Sequence, residues 1–73
     1  MVELIYTNNT EYEYLVGTEV TFNQFKIGTV VVFDTFHTSN IQSILYEYTG
    51  NYVDVIVTTL NSRYIFRLGK TKW

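Results

Sequence analysis

A side chain branched at Cβ, or carrying an aromatic ring, loses rotamer freedom against the preceding turn of a helix but packs well on a pleated surface. In this chain such residues are the majority: 9 Val, 6 Ile, 11 Thr, 7 Tyr, 5 Phe and 1 Trp make 39 of 73. Alanine, the strongest helix former, is absent, and so are proline and cysteine. The expected fold class is therefore all-β. Seventy-three residues make a single compact β-domain over 1–73, near the lower limit for a self-sufficient core, with roughly 60–65% of the unfolded surface available for burial. Without cysteine there is neither a disulfide framework nor a thiolate metal site, and one histidine excludes a His-rich zinc site. A filled aromatic core, self-association, or both must supply the stability.

Period-2 alternation and turn residues place the strands. A first hairpin is expected from Val2–Thr7, Asn8-Asn9 and Thr10–Val16, because Asn tolerates the positive φ of a type I′ turn and Tyr12, Tyr14 and Val16 alternate with Glu11, Glu13 and Leu15. Thr18–Phe25 is readable either as a strand through Val20 and Phe22 or as a single helical turn through Phe22 and Phe25. Thr29–Phe36, with Val30-Val31-Val32 apolar on both faces, predicts a buried strand, and 34–40 a loop.

Residues 39–49 are contested. Ser39-x-x-Gln42 resembles a capping box and Ile41, Ile44, Leu45 and Tyr48 fall at helical spacing, which would give an α+β fold with a short helix. The strand reading is preferred because of its register. With two-residue turns at Gly50-Asn51 and Asn61-Ser62, Tyr48 faces Val53, Tyr46 faces Val55 and Ile44 faces Val57. Val57 then faces Phe66, Val55 faces Leu68, and Thr59 faces Tyr64. One apolar face results: Ile44, Tyr46, Tyr48, Val53, Val55, Val57, Tyr64, Phe66 and Leu68. The expected architecture is a small antiparallel meander of 5–6 strands closing into an SH3-like barrel or sandwich.

The formal charge of −2 argues against a dedicated nucleic-acid backbone binder, and the longest apolar run, Val30 to Phe33, is far short of the roughly 20 residues of a membrane helix. Met1-Val2-Glu3-Leu4 has neither the basic start nor the apolar stretch of a signal peptide, so a cytoplasmic location and no membrane association are expected. Residues with GC-rich codons (Ala, Gly, Pro, Arg) total 6, against 28 for Phe, Tyr, Met, Ile, Asn and Lys, which points to an AT-rich genome such as a low-GC bacterium or its phage.

Constellations for catalysis are nearly absent. His37 sits in a polar stretch with Asp34 and Ser39 nearby in sequence, but adjacency is not triad geometry, and it reads as a solvated loop residue. Gly69-Lys70-Thr71 lacks the upstream glycines of a P-loop. No enzyme activity, cofactor or metal is expected. In the proposed register Glu47 lies opposite Asp54, with Arg67 diagonal to it, which reads as a screened edge rather than a cation site.

Charge is divided along the chain. Residues 1–54 hold all 7 acids against Lys26, a net −6, and residues 55–73 carry Arg63, Arg67, Lys70 and Lys72, a net +4. A single-stranded nucleic acid could contact Arg63, Arg67, Lys70, Lys72 and Trp73 through charge and stacking. The preferred alternative is a basic last strand closing against Glu3, Glu11 and Glu13.

The stronger lead is aromatic surplus. Seven tyrosines exceed what so small a core can bury with every hydroxyl satisfied, and Tyr is enriched at interfaces. Tyr12, Tyr14, Tyr46, Tyr48 and Tyr52 are interface candidates. So are Leu45, Ile56, Leu60 and Ile65, which share the second face of the meander. The expected function is a small non-enzymatic protein-interaction module, such as a phage- or mobile-element-encoded modulator of a host protein, binding a protein partner or itself as a homodimer. A single-stranded nucleic-acid binder and a small virion or assembly subunit are the alternatives.

Overall fold

The computed structural model describes residues 2–33 and 36–68. Five strands, β1 (Val2–Thr7), β2 (Glu19–Val20), β3 (Ile41–Thr49), β4 (Tyr52–Thr59) and β5 (Arg63–Leu68), form one antiparallel sheet in the order β2-β1-β5-β4-β3. The fold is all-β, as the composition predicts, and fits the meander deduced from the register. The sheet stays open rather than closing on itself, with β2 and β3 as its two edges.

The strand expected over Ile41–Tyr48 is present and runs to Thr49, so the helix over 39–49 does not form. Its pairing with β4 follows the register deduced from alternation: Ile44 with Val57, Tyr46 with Val55, Glu47 with Asp54, Tyr48 with Val53. Gly50 makes the turn possible, since its φ of 56° lies where side-chain-bearing residues are strained.

The β4–β5 register differs by two residues. Val57 faces Tyr64, Val55 faces Phe66 and Val53 faces Leu68, which centres the turn on Leu60-Asn61 instead of Asn61-Ser62. A two-residue shift preserves which face each side chain occupies, so the apolar face survives while its partners change. Side chains fix the true register. The Thr59 hydroxyl accepts from the Ser62 N–H at 3.2 Å, and the Arg63 N–H donates to the Asn8 side chain at 2.9 Å.

Three other expectations are corrected. Thr10–Val16 is not a strand, because Thr10–Leu15 is a 3-10 helix. Asn9 has φ −100° and caps that helix by accepting from the Glu11 N–H at 3.0 Å, so the Asn pair initiates a helix instead of a type I′ turn. The strand expected over Thr29–Phe36 is not formed by its described residues, which contribute a single bridge, Val32 with His37. The Gln24 side chain accepts from the Val32 N–H at 2.7 Å and donates to its carbonyl, and the Thr38 hydroxyl accepts from the Val31 N–H, so these backbone groups are satisfied without a neighbouring strand. Thr18–Phe25 contains both readings, β2 at Glu19–Val20 and a second 3-10 helix at Phe22–Gln24.

The core lies between the sheet and the non-strand segment that follows β2. Val2, Leu4, Val55, Val57, Tyr64 and Phe66 from the sheet meet Phe25, Val31 and Phe33 from that segment, all nearly or fully buried. Phe66 is central, with its ring 4.8 Å from Phe25, 6.1 Å from Phe33 and 6.4 Å from Tyr64, centroid to centroid. Ring contacts then run outward both ways. One branch goes from Phe25 through Phe22 to Tyr46 on β3, and the other from Phe33 through Phe36 to Tyr12 on the first 3-10 helix.

Candidate interaction surface

The hairpin of β3 and β4 carries most of the exposed apolar area on the sheet. Tyr46, Tyr48 and Tyr52 are exposed, Tyr48 to 78%, and Leu45 is 61% exposed. Tyr46 and Tyr48 continue the core face past the point where Ile44 still packs against the core. Leu45 lies on the opposite face, in a row with half-buried Ile56 and Ile65 and exposed Tyr6, all paired across neighbouring strands.

The remaining residues singled out from sequence are placed less coherently. Tyr14 and Leu60 are each 71% exposed, Tyr14 on the first 3-10 helix and Leu60 in the β4–β5 turn, away from the second face where alternation put it. Tyr12 is half-buried with its ring 4.4 Å from Phe36. Arg63 is exposed at the start of β5, while Lys70, Lys72 and Trp73 lie outside the described residues.

Next to the apolar row runs a charged one. Glu19 pairs with Glu3, Glu3 with Arg67, Arg67 with Asp54, and Asp54 with Glu47. Arg67 therefore stands directly opposite Asp54, not diagonal to it. Its guanidinium donates to both carboxylate oxygens, at 2.8 and 3.1 Å, and lies 4.6 Å from the Tyr52 ring centre. The hydrogen bond to Asp54 holds Arg67 above its usual pKa, so its charge is permanent. This offsets the Glu47–Asp54 repulsion and withdraws Arg67 from any phosphate-binding track.

Sequence reasoning missed a second feature, a cleft of about 460 Å³ at the end of the sheet where the β4–β5 turn lies. Tyr12, Phe36 and Tyr64 line it together with polar Asn9, Glu11, His37, Ser39 and Ser62. Burial pushes the Tyr64 phenol above its ordinary pKa, the Ser62 side chain partly counters this, and Tyr12 adds to it. The His37 Nδ1 sits 3.1 Å from the Thr38 carbonyl, an acceptor only, which assigns the proton of the neutral ring to Nδ1 and leaves Nε2 as the acceptor. The Ser39 hydroxyl donates to Thr59 and the Ser62 hydroxyl accepts from Asn9, so neither is engaged with His37. Asn9 and Ser62, 53 positions apart, meet across this cleft, which is why no local sequence signal reveals it.

Among the described residues no group of three His, Asp or Glu side chains is placed to hold a metal ion, and no helix is long and apolar enough to cross a membrane. Comparison with protein-family models, with curated proteins and with solved structures gives no match to this chain.

Proposed function

We propose that this chain is a small non-enzymatic protein-interaction module whose contact surface is the β3–β4 hairpin. The observation that carries this reading is that one hairpin exposes Tyr46 and Tyr48 on one face and Leu45 and Tyr52 on the other, against a core filled by other aromatics. Amphipathic rings with few rotatable bonds bury large area at low entropic cost, which suits them to anchor a partner. The row of carboxylates beside Leu45 would orient that partner. A modulator encoded by a phage or mobile element and acting inside a bacterial cell accords with the small size and the codon-related composition. The nucleic-acid alternative is weakened because Arg67 is committed to Asp54.

The test is capture from a host lysate with a photoreactive residue in place of Tyr48 and, separately, in place of exposed Glu13. One stoichiometric protein should cross-link from position 48 and not from position 13, and Tyr46→Asp should abolish its capture. Equal cross-linking from both positions, or none from 48, overturns the assignment of the surface.

A further inference from the structure

Resting on the hairpin as contact surface, we propose that the occupant of the β3 edge is a second copy of this chain, paired antiparallel to the first across a two-fold axis at Tyr46. Hairpin geometry decides which backbone groups are available. A two-residue turn makes Thr49 and Tyr52 a hydrogen-bonded pair, so Glu47, Leu45 and Ser43 also point their N–H and C=O at β4. Ile44, Tyr46 and Tyr48 therefore point theirs away from the sheet. Where the strand begins, the outer groups are satisfied: the Ile41 N–H donates to the Thr29 carbonyl at 2.7 Å, and the Ile41 carbonyl accepts from Gly28 at 2.9 Å. Beyond the bulge between Ile41 and Ser43, no described residue pairs with the outer edge.

Sheet edges are ordinarily protected by shortness, by lysine or proline, or by a bulge within the exposed stretch. The opposite edge follows this rule, since β2 is two residues long. On β3 the bulge lies before the open stretch, and Ser43–Thr49 contains no lysine or proline and one charge, Glu47.

Self-pairing has a well-defined best register. Outward-facing residues must meet outward-facing residues, and only a centre at Tyr46 engages all three on both copies. Ile44 then meets the partner's Tyr48, and Tyr46 meets the partner's Tyr46, giving about six backbone hydrogen bonds. A centre at Leu45 engages two residues per copy. A centre at Glu47 sets that carboxylate against the partner's Glu47. The Tyr46 centre instead places Glu47 opposite the partner's Leu45, so like charges never face each other. It also extends the apolar face of Ile44, Tyr46 and Tyr48 across the junction, giving a domain near the lower size limit additional burial.

The experiment is sedimentation equilibrium of the full chain from micromolar to millimolar concentration, with far-ultraviolet circular dichroism confirming the fold of each variant. A monomer–dimer equilibrium is expected. Tyr48→Pro removes an N–H that points away from β4, so it should spare the intramolecular ladder and weaken the dimer roughly tenfold or more. Two charge variants read the register. Leu45→Lys places a cation opposite the partner's Glu47 twice per dimer and should tighten association, whereas Leu45→Glu should loosen it. The two should differ by about tenfold at low salt and converge at high salt. A strict monomer at every concentration overturns self-pairing, as does a dimer indifferent to the sign of the charge at 45. If that monomer still cross-links one protein through position 48, the hairpin remains the contact surface and only its occupant is refuted; if it cross-links nothing, both readings fall.

Discussion

Arg67 on β5 faces Asp54 on β4 and closes a two-pronged hydrogen bond on its carboxylate, Nε to Oδ1 at 2.8 Å and Nη2 to Oδ2 at 3.1 Å. Asp54 is buried on the otherwise open face of the sheet, with Glu47 beside it on β3, and Glu3 flanks Arg67 on β1. One guanidinium therefore stands in a row that holds four carboxylates, those of Glu19, Glu3, Asp54 and Glu47, with the Tyr52 ring lying against it.

Removing that cation should destabilise the sheet by leaving Asp54 and Glu47 facing each other without compensation. Arg67→Gln is expected to lower the thermal midpoint clearly, and Arg67→Lys to restore only part of the loss, because an ammonium reproduces neither the two-pronged geometry nor the flat contact with Tyr52. Glu47→Gln in the Arg67→Gln background should recover stability. Thermal denaturation of the three variants measures this, and a double variant no more stable than Arg67→Gln alone would refute the repulsion argument.

Tyr64 should make the protein sensitive to alkali. Its phenol is held above the ordinary value of about 10, chiefly by burial, so the folded state keeps the proton more tightly than the unfolded chain. The resulting stability is complete below the ordinary phenol value and is lost as pH rises through the raised folded one. Urea unfolding of the wild type should thus steepen in pH dependence above about pH 10, while Tyr64→Phe should lack that component. Identical alkaline profiles would show that Tyr64 does not carry it.

Phe66 joins both branches of the aromatic core and is fully buried. Phe66→Ala should cost about 3–5 kcal/mol, enough to unfold much of a domain this small. Leu60→Ala, at a turn position 71% exposed, should stay within about 0.5 kcal/mol. Chemical denaturation of the pair distinguishes the apolar residues that build the core from those left outside it.

Asn9 serves two elements at once, accepting from the Glu11 N–H and donating through Nδ2 to the Ser62 hydroxyl at 3.0 Å. Asn9→Ala should lose about 1–2 kcal/mol. Asn9→Asp keeps the cap but not the donor, and should fall between the two. An Asp variant as unstable as Ala would mean that the tie to Ser62, not the helix cap, is what matters.

The β3–β4 pairing was legible because a Gly-Asn turn and one shared apolar face outweighed the capping-box and helical-spacing signals over 39–49. The β4–β5 turn was misplaced because Leu60-Asn61 and Asn61-Ser62 both suit a two-residue loop and both preserve the facing of side chains. What distinguishes them is side-chain bonding, the Thr59 hydroxyl receiving the Ser62 N–H and Asn8, more than fifty residues away, receiving the Arg63 N–H. Thr10–Val16 alternates like a strand, yet a cap from Asn9 and the docking of Tyr12 on Phe36 bend it into a 3-10 helix. The cleft beside Tyr64 left no trace in sequence for the same reason, since its walls come from three distant segments.

Local chemistry thus suffices for the fold class and for the meander: β-branched and aromatic side chains favour pleated backbone, and period-2 spacing sorts them to two faces. Whether a given tyrosine is core or contact surface does not follow from local chemistry. Tyr64 and Tyr48 occupy the same apolar face, yet one is 1% exposed and the other 78%. The difference arises from what the segment after β2 covers, because burial is a property of the packed whole and each segment settles where its own polar groups find partners. That coverage stops short of Tyr48, and no described residue pairs with the outer edge of β3 beyond Ile41.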